Sequence, residues 1–229
     1  MRIADNLAAV QTRIAHAARA CGRDPRNIQL LAVSKMQSPQ AVCEAVEAGQ
    51  RDFGENYLQE ALDKQIAVAN PALIWHFIGP IQSNKTRAIA ENFAWVHSVD
   101  RLKIAQRLSV QRPTNAPPLN VCIEVNVSDE ASKSGVLPEA AAALAEQVAA
   151  LPQLKLRGLM ALPAPTSDLQ QQRQAFAQLR ALFDALNQRG LNLDTLSMGM
   201  SDDMEAAIAE GATIVRIGTA IFGARPTLT

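Results

Sequence analysis

The chain has 229 residues, 48% of them hydrophobic and 19% charged, enough to bury a substantial core in one globular domain, 1–229, and nothing in its composition reads as disordered. Its 22 basic residues balance 22 acidic ones, and it has neither a basic run nor an aromatic-basic stripe, so nucleic acid and anionic membrane surfaces are not expected as main partners. Cys21, Cys43 and Cys122 are scattered without metal spacing and read as reduced core thiols; with charge at Arg2 and Asp5 and no apolar run long enough for a bilayer, a cytoplasmic protein is expected.

In chain order, Ile3, Leu7, Val10 and Ile14 recur at helical spacing and predict an opening helix that ends near Gly22. The first strand is Leu30 to Lys35, and Ser38-Pro39 then opens a helix carrying Val42 and Val46. Asp52-Phe53-Gly54 is a short second strand, followed by a helix to about Ala69 whose apolar face is expected to be Leu58, Leu62 and Ile66. Ile74 to Ile78 is the third strand, with Ser83 or Asn84 expected to cap the next helix. Ala94 to Val99 is the fourth, with Asp100 expected as the cap of a helix bearing Leu102 and Leu108. Val121 to Asn126 is the fifth, and Pro138 opens the helix behind it. Leu156 to Leu162 is the sixth, and Asp168 caps a long helix with Phe176, Leu179, Phe183 and Leu186. Leu196 to Met200 and Ile214 to Gly218 complete the set, with a helix over Asp202 to Glu210 between them. Eight strands alternating with helices predict a closed (β/α)8 barrel preceded by an extra helix; an open doubly wound sheet is the alternative.

In such a barrel the carboxyl ends of the strands share one mouth, which gathers Lys35, Asn56, His76, Asn126, Ser201 and Gly218 to Ala220. An amine at the end of an apolar strand is placed to attack an aldehyde or act as a base, although a lone strand-end lysine is more often a solvated charge. Small and hydroxylated residues after strands seven and eight leave backbone N–H groups, with the hydroxyls of Ser201 and Thr219, to cup a phosphate. Ordinary capping by Ser201 is the competing explanation, and Asp202, Asp203 and Glu205 permit an anion only if they turn outward. Arg216 sits between Val215 and Ile217, so its side chain takes the opposite face from theirs; it needs either an electron-rich ligand or an interior acid such as Glu124.

Eight ordered motifs then resemble those of the pyridoxal phosphate homeostasis protein family: Val33-Ser34-Lys35, Phe53 to Glu60, Trp75 to Gly79, Gln82 to Lys85, His97 to Asp100, Ser132 to Gly135, Met198 to Ser201 and Arg216 to Gly223. The resemblance implies a barrel like the alanine racemase N-terminal domain, of the fold-type III kind, that binds pyridoxal 5'-phosphate as an internal aldimine. By matching positions Lys35 is the Schiff-base lysine, Ser201, Gly218 and Thr219 hold the phosphate, Asn56 lies beside the cofactor and Arg216 faces the pyridine nitrogen. A permanent charge beside that nitrogen discourages its protonation and makes the ring a poor electron sink.

Only Ala224 to Thr229 follow Gly223, too little for the added racemase domain with its tyrosine acid/base, and the one tyrosine here, Tyr57, is expected to pack. The leading expectation is therefore a monomeric carrier that sequesters or delivers the cofactor without turnover and meets apo-enzymes transiently. A pyridoxal-phosphate racemase or decarboxylase is the alternative, and a sugar-phosphate lyase using Lys35 a third. The family commonly continues its first motif with threonine and a second lysine where this chain has Met36 and Gln37; Lys133 and Lys85 are weighed as secondary contacts against plain solvated lysines. His76 and His97 are expected to be hydrogen-bonded rather than metal-bound, His16 to lie on the surface, and Trp75 and Trp95 to pack against helices.

Overall fold

A computed structural model of the protein describes residues 2–128 and 134–223. Eight parallel strands close into a barrel in sequence order: β1 (Gln29–Val33), β2 (Asp52–Glu55), β3 (Ile74–Phe77), β4 (Trp95–Val99), β5 (Leu119–Glu124), β6 (Leu154–Met160), β7 (Thr195–Ser197) and β8 (Ile214–Ile217). Closure is made by β8 against β1, with Leu31 opposite Arg216 and Ala32 opposite Ile217. The helices are α1 (Ile3–Ala20), α2 (Pro39–Glu47), α3 (Leu58–Val68), α4 (Thr86–Asn92), α5 (Leu102–Gln111), α6 (Pro138–Ala149), α7 (Leu169–Gln188), α8 (Met204–Ala209) and α9 (Thr219–Phe222). The expected barrel and its extra leading helix are thus both present, and the open sheet is ruled out by the β1–β8 pairing.

Alternation along each strand sorts its residues into two layers. Ala32, Phe53, Trp75, Phe77, Val96, Val121, Ile123, Leu196, Val215 and Ile217 point outward into one large apolar cluster with Leu7, Val42, Ile104, Leu144, Phe176 and Leu179 of the helices. Burying each such large side chain contributes about 1.5–3 kcal/mol, so this layer holds the fold together. The inward apolar cluster is small, Leu31, Ile78 and Ile214 with Val33 and Trp95 beside them. The interior also holds buried polar groups: His76, His97, Ser197 and Arg216 are all 4% exposed or less.

Several local expectations hold in detail. Ser38 accepts from the Ala41 amide at the start of α2, Asp168 accepts from the Gln170 and Gln171 amides at the start of α7, and Pro138 begins α6. Others are corrected. Neither Ser83 nor Asn84 caps α4: Ser83–Lys85 form a 3₁₀ turn, and the Thr86 hydroxyl bonds back to the Ser83 carbonyl. Asp100 does not cap α5, because its carboxylate pairs with Arg101 at 2.7 Å. On α3 the buried residues are Ala61 and Lys64, while Ile66 is 77% exposed. Leu58 packs against the core as expected, and the Lys64 ammonium, paired with Glu55 and Glu60, is buried where Ile66 was expected to be. Trp95 lies inside the barrel, not against a helix, with its ring stacked on His76 and the Arg157 guanidinium over it at 4.8 Å. Cys21 is exposed at the end of α1, so of the three thiols only Cys122 is a fully buried core residue. No helix among the described residues is long and apolar enough to cross a membrane.

Candidate functional site

A cavity of about 450 Å³ opens at the carboxyl ends of the strands, and Lys35, Asn56, Ser201, Arg216, Gly218 and Thr219 all line it. Four stretches far apart in sequence thus meet at one mouth, as the barrel topology requires. His76 is not among these lining residues, and the exposed Lys85 stands apart from them too. Asn126 is buried beyond β5, outside the lining, and Lys133 lies outside the described residues.

Lys35 is carried two residues past the end of β1 in a tight turn closed by Gln37 N–H to Ser34 O at 3.0 Å, with Met36 at φ +61°. Three charged groups that sequence reasoning overlooked hold this turn from beneath. The Lys64 ammonium, 2% exposed with its residue, donates to the Ser34 carbonyl at 2.5 Å, to Glu55 at 2.8 Å and to Glu60 at 2.5 Å. Glu55 also accepts from the Ser34 hydroxyl at 2.6 Å, and Glu60 from the Met36 amide at 2.5 Å. The residues on both sides of Lys35 are therefore anchored to one buried cluster, which fixes where its stem leaves the backbone. Burial pushes the Glu55 carboxyl above the ordinary carboxylate range even though Lys64 and Ser34 pull it down. Gln37 lines the cavity at the position where a second family lysine was expected, so that wall presents an amide instead of a charge.

Opposite Lys35, the turns after β7 and β8 form the candidate anion cup. Gly199 has φ +94°, and a Cβ there would lie 2.6 Å from the Ala207 Cβ, so only glycine lets the turn fold against α8. Ser201 does not cap α8: Asp203 precedes that helix, and its carboxylate accepts from the Met200 amide at 2.6 Å. The Ser201 side chain is thus released from the capping role that competed with ligand binding. Glu205 turns away to Arg13 at 2.8 Å, and Asp203 is engaged with the backbone, but Asp202 does line the cavity. Arg13 of α1 lines it as well and donates to the Ser201 carbonyl at 3.2 Å; nothing in its helical context marked it beforehand. At β8 the amides of Thr219 and Ala220 begin the short α9 and have no acceptor within it.

Two further groups define the floor and a wall. Arg216 is not paired with Glu124; it donates to the Ser197 carbonyl at 2.6 Å, the Ser197 hydroxyl at 2.8 Å and the Ala161 carbonyl at 2.8 Å. Burial lowers its pKa to about 10 against the raising influence of Asp203 and Glu124, which leaves it charged at neutral pH. Asn56 has its side-chain oxygen buried without a partner among the described residues. Gly79 approaches the Asn56 backbone so closely that a Cβ would sit 2.3 Å from its carbonyl oxygen. That approach holds Asn56 at the rim. A pyridine ring carrying an aldehyde and a phosphate fits this set: an amine, an orphaned polar wall, a fixed cation below and an amide-and-hydroxyl cup. Tyr57 is 55% exposed and does not line the cavity. No group of three or more His, Cys, Asp and Glu residues among those described is placed to hold a metal ion.

The fold and the cavity together define a parallel (β/α)8 barrel with a lysine-bearing turn at its mouth. Residues 6–226 match the family described as alanine racemase, N-terminal domain. The chain is 68% identical over 223 residues to the pyridoxal phosphate homeostasis protein of Pseudomonas aeruginosa, covering 97% of this chain and 96% of that one. It is 56% identical over 228 residues to the protein of the same name from Escherichia coli K12, covering 97% of each. Among solved structures, PipY of Synechococcus elongatus PCC7942 with PLP bound superposes with a TM-score of 0.84 at 37% identity, covering 97% of this chain and 100% of that one. The chain belongs to the pyridoxal phosphate homeostasis protein family.

Proposed function

We propose that the protein binds pyridoxal 5'-phosphate at the barrel mouth and keeps it in reserve for the cell, without turning over a substrate. The observation that carries this reading is the convergence of Lys35, Asn56, Ser201, Arg216, Gly218 and Thr219 on one cavity, in a chain whose relatives are named for pyridoxal phosphate homeostasis and whose relative PipY has been solved with PLP bound. When bound, the cofactor supplies an aldehyde that an amine can capture reversibly and a ring that can accept electrons.

The residues of this chain then divide the work. Lys35 forms the covalent attachment, and the Lys64–Glu55–Glu60 cluster holds the turn that presents it. The amides of Thr219 and Ala220, with the Ser201 and Thr219 hydroxyls, receive the phosphate, and Gly218 admits it by lacking a side chain. Asn56 offers its orphaned oxygen to a ring substituent. Arg216 presents a fixed positive charge to the ring nitrogen. Because an arginine holds its proton, it neither protonates the ring nor supplies the acid for carbanion chemistry, which favours storage over turnover. Tyr57, the only tyrosine, stands outside the cavity and gives no acid/base partner at this mouth. We place the protein in the cytoplasm as a monomer that meets apo-enzymes transiently.

The test is the absorbance spectrum of the purified protein with added cofactor, repeated for Lys35→Ala. The reading requires a visible band in the parent that borohydride bleaches and that Lys35→Ala lacks. A parent protein that stays colourless rejects it, and sustained conversion of single L-amino acids by the loaded protein rejects the non-catalytic part.

A further inference from the structure

Inside the barrel the buried polar residues form a single file. Arg216 Nη1 donates to Ser197 Oγ at 2.8 Å, Ser197 Oγ lies 2.8 Å from His97 Nδ1, and His97 Nε2 lies 2.9 Å from His76 Nδ1. His76 Nε2 in turn lies 3.1 Å from Asp52 Oδ1. The two ends face different cavities. Arg216 lines the mouth, whereas Asp52, the first residue of β2, lines a second cavity of about 360 Å³ at the amino ends of β1 and β2. Both histidines are fully buried, and the Trp95 ring stacks on His76 with centroids 5.4 Å apart.

With both rings neutral, the carboxylate end fixes the direction of every bond in the file. A guanidinium has only donors and an ionised carboxylate only acceptors. A neutral His76 must put its proton on Nε2 for Asp52, so a neutral His97 must put its own on Nε2 for His76, and two neutral rings share this one tautomer. Arg216 occupies one lone pair of Ser197, whose hydroxyl proton is free to go to His97 Nδ1. Burial lowers the proton affinity of both histidines, of His76 against the pull of Asp52 and of His97 with the charges of His76 and Arg216 adding to it, consistent with neutral rings.

We propose that Asp52, His76, His97 and Ser197 are positioning residues for Arg216, joined end to end in a relay that runs from the basal cavity to the mouth and sets how Arg216 presents its charge to the bound cofactor. This rests on the proposed cofactor site, yet the relay exists in the protein without cofactor and can be tested there. Such a chain makes the basal carboxylate matter to a ligand it never touches.

The experiment has two readouts. First, imidazole nitrogen spectra of the cofactor-free protein, which has only three histidines, resolve the tautomers once His16→Gln has removed the exposed one. The relay predicts a proton on Nε2 of both remaining rings at neutral pH; a proton on Nδ1 of either overturns it, whatever the cofactor does. Second, cofactor affinity and the visible spectrum are compared for Asp52→Leu and Asp52→Asn. The amide can still accept from His76 and should match the parent, whereas leucine should mix the His76 tautomers, shift the visible band and weaken binding about fivefold. Should Asp52→Leu fail to fold, Ser197→Ala takes its place in the affinity and spectral comparison. Unchanged affinity and spectrum in the folded variant overturn the coupling. A parent protein that binds no cofactor overturns the proposed function and leaves the tautomer result standing.

Discussion

The two faces of the sheet are built to opposite rules. Outside the strands, β-branched and aromatic residues pack against six or more helices in a continuous apolar layer, and a change of one side chain there is a change of volume. Inside, a small apolar cluster leaves room for a file of polar groups, and a change of one side chain is a change of hydrogen-bond bookkeeping. The outer layer gives the barrel its stability, and the inner file spends some of it on placing Arg216. Stability and cofactor handling should therefore come apart when the two layers are altered separately.

The largest effect is expected in the outer layer. Phe176 of α7 is fully buried, and Phe176→Ala should cost about 3–5 kcal/mol in urea unfolding through lost burial and the cavity left behind. The visible spectrum of whatever cofactor-loaded protein remains folded should not change. A spectral shift as large as that of Asp52→Leu would erase the distinction between the layers.

A smaller effect is expected inside. Glu124 is 6% exposed at the end of β5, and burial together with the charge of Asp100 raises its pKa to about 7 despite Arg216. The folded state thus binds this proton more tightly than the unfolded chain does. Its contribution is complete below about pH 4.5 and is lost as pH rises toward 7 and above. Glu124→Gln, which mimics the protonated acid, should come close to the parent near pH 4.5 and exceed it by about 3 kcal/mol at pH 8. Parallel pH–stability curves for the two proteins would refute the raised pKa.

The smallest effect tests the α3 correction. Ile66→Ser should change stability by less than about 0.5 kcal/mol, because Ile66 stands in solvent. A loss of 2 kcal/mol or more would restore the apolar face read from helical spacing.

That contrast also explains what the sequence made legible. The strands were readable because outward residues are apolar at every second position, and the site residues because a barrel brings all strand ends to one mouth. Asn56 and Gly218 lie one step past such a run, Lys35 and Thr219 two and Ser201 four, and Arg216 is the last but one residue of β8. What stayed hidden depends on neighbours across strands. His76, His97 and Ser197 each show as a single polar residue among apolar ones, yet that they touch follows only from the registers that place β2 beside β3 and close β7 and β8 around them. Lys64 was hidden for a related reason: helical periodicity counts apolar side chains and is blind to a buried carboxylate, Glu55, waiting on another element. Arg13 reaches the mouth because α1 packs beside α8 and α9, a tertiary fact with no local signature.

The central claim is that the amine after the first strand carries the cofactor. Borohydride reduction of the loaded protein, followed by peptide mapping, tests it most directly. The pyridoxyl label should fall on Lys35 and on no other lysine; its appearance on Lys64, Lys85 or Lys133 in place of Lys35, or its absence from every peptide, would contradict the account.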